Sequence, residues 1–265
     1  MKKITNPIFL LSILFLIGII LGYIFFHNQP TPIKTQSPIL SNQNIQQAPP
    51  PTNTPTSTTT TPTPTINNDR KTWFQVPFTS QAPLGEWDDS LQQDGCEEAS
   101  SLMVISWIKE ETLQSPQETL NKLKEISRWQ QQNYDSAIDT SAQDTLNRII
   151  KGYFNHQSAQ LLYPKSTTDI IKALTKGQLI IAPMNGQLLN NPYFTSPGPE
   201  RHMLVIIGYD PQTNEFITND PGTRRGQNYR YHEQVLWKAI RDYITGDHQP
   251  ITIDQKVVIL IQKPS

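Results

Sequence analysis

The 265-residue chain contains a single cysteine, Cys96, and that scarcity excludes a good deal. A lone thiol can neither close an internal disulfide nor build a multi-cysteine zinc site. No His-Glu-x-x-His stretch is present, and His27, His156, His232 and His248 are scattered, so neither a metal nor another cofactor is implied. Neither sign of charge is in excess. With 22 basic and 23 acidic residues the net charge is −1, which argues against nucleic acid or an acidic polymer as partner. Residues 28–70 lack any apolar pattern: Pro, Thr, Gln, Ser and Asn dominate, culminating in Pro49-Pro50-Pro51-Thr52 and Thr58-Thr59-Thr60-Thr61-Pro62-Thr63-Pro64-Thr65. Such a segment cannot form a core and reads as a disordered, semi-extended Pro/Thr-rich linker.

Residues 7–26 form an apolar run, and about twenty residues rising 1.5 Å each span a hydrocarbon core of roughly 30 Å. Lys2 and Lys3 precede the run, while His27-Asn28-Gln29-Pro30 after it carries no lysine or arginine, so the N-terminus is expected in the cytoplasm. No small-x-small cleavage site follows, which favours an uncleaved signal-anchor over a signal peptide. The expected organisation is a membrane anchor over residues 1–27, a linker over 28–70, and one extracytoplasmic catalytic domain over 71–265.

Cys96 lies where a helix is predicted to begin, in Asp94-Gly95-Cys96-Glu97-Glu98-Ala99. A helix N-terminus favours thiolate over thiol, which makes Cys96 a candidate nucleophile; a buried, inert cysteine is the plainer alternative. Ala99, Leu102, Met103, Ser106 and Trp107 follow the i, i+3, i+4 spacing of one apolar face. Glu97 and Glu98 are the acidic first-turn residues that a helix dipole favours. Far downstream, residues 203–209 read as a buried strand, residues 211–214 as a turn and residues 215–218 as a second strand. That hairpin carries His202 at one outer end and Asp220 at the other. A turn centred between Gln212 and Thr213 leaves Asp220 three positions from directly opposite His202, so the two meet only if the hairpin bends or carries a bulge. A thiol, a base and an acceptor that orients the base are the parts of a Cys-His-Asp triad.

The ordered segments Val76-Pro77-Phe78-Thr79-Ser80-Gln81, Gly95-Cys96-Glu97, the run from Arg201 to Asp210, and Asn219-Asp220-Pro221-Gly222-Thr223 carry a family likeness. Over residues 73–262 the chain resembles the bacteriocin-processing (double-glycine) peptidase-like branch of the papain-like cysteine peptidases. The resemblance implies Cys96 as nucleophile, His202 as general base and acid, Asp220 as the residue orienting His202, and a glutamine upstream of the cysteine as oxyanion-hole donor. Gln81 matches that glutamine, although the loop of residues 83–90 sets it farther from Cys96 than is usual; Gln92 and Gln93 lie nearer in sequence. The implied fold is α+β and papain-like, a nucleophile helix on an antiparallel sheet, here preceded by one transmembrane helix. Peptide or protein substrates are implied as well. Cleavage after a double glycine is not expected, because the leader-processing members work in the cytosol attached to a transporter.

Ser115-Pro116-Gln117-Glu118 reads as a capping box opening a helix to about Trp129. Further helices are predicted over residues 142–153, 167–176 (closed by Gly177) and 232–243, with strands over 179–183 and 257–261. Trp87, Tyr193 and Phe194 could line subsites or anchor their loops, and Arg224-Arg225 could meet a substrate carboxylate or simply be solvated. The expected function is therefore a membrane-anchored extracytoplasmic cysteine peptidase. An inactive cell-surface binding or adhesion module of the same fold is the alternative.

Overall fold

The computed structural model describes residues 71–252 and 254–264. The predicted anchor and linker lie outside the described residues, and no helix among those residues is long and apolar enough to cross a membrane. In chain order the elements are β1 (Thr72–Trp73), α1 (Ser90–Gln93), α2 (Cys96–Lys109), α3 (Pro116–Tyr134), α4 (Ala142–Asp144) running into a π-helix (Thr145–Tyr153), β2 (Gln160–Leu162), α5 (Thr167–Thr175), β3 (Leu179–Asn185), a 3-10 turn (Gly186–Leu189), β4 (Arg201–Asp210), β5 (Glu215–Asn219), β6 (Tyr229–His232), α6 (Glu233–Ala239) and β7 (Val258–Ile261).

The strands form one antiparallel sheet in the order β2-β7-β3-β4-β5-β6, with β1 pairing to the far half of β4. At that junction Gly208 is obligatory, because a Cβ there would sit 2.4 Å from the Thr72 carbonyl oxygen. Both faces of the sheet are covered, so β3, β4 and β7 are apolar at successive positions rather than alternating. Along β7, Ile259 and Ile261 join the cluster under α2 with Met103, Val104 and Val205. Val258 and Leu260 join the opposite cluster, with Ile170 and Leu174 of α5 and Leu236 and Ala239 of α6. Each such side chain withdrawn from water contributes about 1.5–3 kcal/mol.

Helix α2 is not the amphipathic helix its spacing predicts. It is buried on all sides from Cys96 to Ser106, because α3 and the π-helix pack on the side away from the sheet through Ala99, Leu102, Leu123, Ile126 and Ile149. Glu97 and Glu98 are consequently only 1% exposed, where the dipole argument places them in solvent. The capping box at Ser115 forms as predicted, and α3 continues five residues beyond Trp129, to Tyr134. The helix predicted over residues 142–153 is α-helical only to Asp144 and then widens into π-turns. The final helix stops at Ala239, because Ile240 turns extended and bridges Met184 of β3.

Candidate active site

Of the bend or bulge that would bring Asp220 to His202, the hairpin contains a bulge. From the turn inward, Asp210, Tyr209 and Gly208 face Glu215, Phe216 and Ile217; beyond the irregularity, Ile206 faces Thr218 and Val205 faces Asn219. One extra residue in β4 moves Asp220 alongside Leu204, two positions from His202 instead of three. Residues an even number of positions apart share a face of a strand, so the bulge turns Asp220 to the side occupied by His202.

The contact follows directly. His202 Nε2 lies 2.8 Å from Asp220 Oδ1, and both side chains are buried. The amide of Gly222 donates to Asp220 Oδ1 at 3.0 Å, and the Tyr231 hydroxyl donates to Oδ2 at 2.6 Å. Asn191 Nδ2 in turn donates to the Tyr231 oxygen at 2.7 Å. Burial alone would raise the Asp220 pKa, but the His202 charge and the hydrogen bonds from His202, Tyr231 and Gly222 outweigh it and hold the carboxylate below its ordinary value. With Nε2 engaged, Nδ1 is the ring nitrogen left to exchange a proton with a nucleophile. The Phe194 ring meets the His202 ring edge-on at 5.4 Å. Gly222 permits that packing: a Cβ there would lie 2.9 Å from His202 Cε1 and from Phe194 Cε1.

Cys96 opens α2 from the other side of the cleft. As the first helical residue it has a backbone N–H with no intrahelical acceptor, available to a developing oxyanion. The thiol donates to Glu97 Oε2 at 3.1 Å, and Tyr243 donates to Glu97 Oε1 at 2.7 Å. Burial, reinforced by the Glu97 carboxylate, raises the Cys96 pKa well above the usual thiol value. Burial likewise lifts Glu97 to about 7 despite the opposing hydrogen bonds from Tyr243 and Cys96. Glu98, held by Gln130 Nε2 at 2.7 Å, is raised well above the carboxylate range by burial and then by the Glu97 charge.

Gln81 is tied into the same region, since its backbone N–H donates to the Pro221 carbonyl beside Asp220. Its side-chain amide, however, donates to the carbonyls of Gln92 (2.9 Å) and Gln93 (2.6 Å), and Oε1 is buried without a partner. Of the two alternatives nearer in sequence, Gln93 also lines the cavity, whereas Gln92 is buried with its amide on Glu86.

Cys96, His202, Gln81, Trp87, Tyr193, Phe194, Arg224 and Arg225 all line one cavity of about 650 Å³. The arginine pair is split in function: Arg224 donates to the Leu84 carbonyl at 2.8 Å, and Arg225 stacks on Tyr193 with its guanidinium 4.8 Å from the ring centre. Behind the cleft, Asp94, Asp139 and His248 place one ligand-type atom each within 4.8 Å of one another. Arg201 Nε lies 3.0 Å from Asp139 Oδ2, so a guanidinium already supplies the positive charge that a metal ion would bring. The braces Tyr231, Asn191 and Tyr243 have no local sequence signature; each reaches the site from at least 11 residues away in the chain.

A crystal structure from Bacillus anthracis described as a C39-like peptidase is similar to this chain, with 18% identity, coverage of 74% of this chain and 100% of that one, and a TM-score of 0.44. No curated protein matches. The model of the Peptidase_C39 like family matches residues 74–245, a span that contains Gln81, Cys96, His202 and Asp220, and the chain belongs to that family.

Proposed function

We propose that the protein is a cysteine peptidase that hydrolyses peptide bonds through a thioester on Cys96. The observation that carries this reading is that His202, paired with the buried Asp220 and with no hydrogen-bond partner on Nδ1 among the described residues, lines the cavity that Cys96 also lines. In this reading His202 takes the Cys96 proton, the thiolate attacks the substrate carbonyl, and the imidazolium returns the proton to the leaving amine. The Cys96 N–H receives the oxyanion, joined by the Gln81 amide once it turns from the Gln92 and Gln93 carbonyls. Water then attacks the thioester with His202 as base. Trp87, Tyr193 and Phe194 provide aromatic walls for substrate side chains.

The test is turnover of a peptide library by the full-length protein and its Cys96→Ser variant, which differ in nucleophilicity far more than in size. Hydrolysis by the parent and none by the variant is expected; equal turnover by both would overturn the assignment. The burial and raised pKa of Cys96 favour a second reading, a binding module without turnover. It predicts peptide binding that survives Cys96→Ser and no hydrolysis by either protein.

The same proposal places the domain outside the cytoplasm, held by residues 7–26 with Lys2 and Lys3 on the inner side. Protease added to intact cells should then release a fragment beginning near Arg70. Protection until lysis would place the domain in the cytoplasm.

A further inference from the structure

The mechanism above leaves Glu97 unused, although it is the group that touches the sulfur. It is a buried carboxylate with one oxygen 3.1 Å from Cys96 Sγ and the other 2.7 Å from the Tyr243 hydroxyl. A surface acid in a first helical turn interacts with the dipole and nothing else; this one is enclosed. The groups facing it are Cys96 and Glu98 from its own helix, Tyr243 from the segment after α6, and Asp139 from the connection between α3 and α4. Asp94 and His248 adjoin Asp139, and the guanidinium of that cluster, Arg201, is bound to Asp139 and Glu200. Among the described residues no lysine, arginine or histidine pairs with Glu97, so its charge is opposed only by hydrogen bonds.

Resting on the cysteine-nucleophile reading, we propose that Glu97 is a second proton partner of Cys96. As a carboxylate it accepts the S–H and holds the nucleophile as a thiol; as a neutral acid it donates its O–H to the thiolate. The two arrangements differ by one proton, taken from solvent water. In the first the proton sits on sulfur and the negative charge on Oε2; in the second Oε2 has taken up a solvent proton, the S–H proton has gone to His202 Nδ1, and the electron pair stays on sulfur. The arrangement with both sulfur and Oε2 ionised places two like charges about 3 Å apart in a dry site and is the disfavoured one. Protonation of Glu97 therefore releases the nucleophile, and its ionisation holds the nucleophile back.

Because Cys96 is the only cysteine of the whole chain, its alkylation can be read in the full-length protein without removing other thiols. The experiment follows the rate of iodoacetamide modification against pH for the parent, Glu97→Gln and Tyr243→Phe, with Cys96→Ser as the blank. Glu97→Gln keeps the size and an N–H toward sulfur while abolishing the charge. Its titration midpoint should fall by about one pH unit or more, giving roughly tenfold faster modification near pH 7. Tyr243→Phe removes a hydrogen bond to the carboxylate, keeps Glu97 neutral to higher pH, and should move the midpoint the same way by a smaller amount.

A plateau rate that rises with an unchanged midpoint would mean that Glu97 merely screens the thiol, and the proposal would fail. Should Glu97→Gln not fold, the Tyr243→Phe midpoint decides, and an unmoved midpoint there is equally fatal. The readout is independent of peptide hydrolysis, so absence of turnover would sink the peptidase assignment without touching this coupling, and the reverse holds too.

Discussion

The two walls of the cleft are built to opposite standards. On the sheet wall, Asp220 receives donors from His202, Tyr231 and the Gly222 amide, and the Tyr231 oxygen is itself capped by Asn191. Around α2, on the helix side of the cleft, Gln81 Oε1, Gln92 Oε1, Glu98 Oε2, Ser101 Oγ and Gln130 Oε1 are buried without partners, and the adjacent carboxylates of Glu97 and Glu98 are both buried. Unsatisfied buried polar atoms cost stability, so a fold carries them where another need dominates. His202 is therefore held by a fully partnered acceptor. On the helix side the Cys96 thiol rests on Glu97 and the Gln81 amide on backbone carbonyls; under the proposed mechanism these are resting arrangements of the nucleophile and its oxyanion donor.

If the sheet wall is the finished half, damage to it should cost the most activity. His202→Ala should take peptide hydrolysis to near background, a loss on the order of 10⁴-fold, while Asp220→Asn should be less severe because it acts by misorienting the ring. Substantial turnover by His202→Ala would remove the histidine from the mechanism. A smaller effect is expected from Tyr231→Phe, which strips one donor from Asp220 but leaves Gly222 and His202. It should lower kcat about tenfold with KM little changed, and lose about 1–2 kcal/mol of stability in denaturant titration. A change confined to KM would place Tyr231 in substrate binding instead.

The helix wall sharpens the comparison through its pH dependence. Glu98 has a folded-state pKa raised by burial. Its stabilising contribution is therefore complete below the unfolded value of about 4.3 and is lost as pH rises toward the folded one. Glu97 acts in the same sense up to about 7. Glu98→Gln should thus gain thermal stability over the parent at pH 8 and show little gain at pH 4, with the smallest effect on turnover of the variants named. A variant that loses as much stability at pH 8 as at pH 4 would show that Glu98 contributes through packing rather than charge.

How much of this was written in the sequence depends on how local each feature is. The positions of Cys96 at a helix start and of His202 and Asp220 at the two ends of one hairpin were legible because each stands at the edge of an element whose period or turn chemistry is local, and the offset between His202 and Asp220 already called for a bend or a bulge if they were to meet. The capping box at Ser115 was legible for the same reason. The environment of α2 was not. Its first-turn acids look like surface residues until α3 and the π-helix close over them, and Tyr243 reaches Glu97 from 146 positions away. The use of the Gln81 amide was hidden likewise, because the acceptors are carbonyls exposed by the turn before α2, which the pattern of side chains does not reveal. Strands β1, β2 and β6 went unread because they are two to four residues long and gain their partners only in the sheet.

The single extra residue in β4 works as a phase setting. The turn over residues 211–214 lies on the far side of it, so that tip can lengthen or shorten in steps that preserve the pairing of Asp210 with Glu215 without disturbing His202. Between the irregularity and His202 no such freedom exists. Loss of one residue there, in either strand, would invert which side of the sheet meets which, and Asp220 and the His202 imidazole would face away from each other. Length variation is thereby partitioned along one hairpin, open to change at its tip and closed at its base.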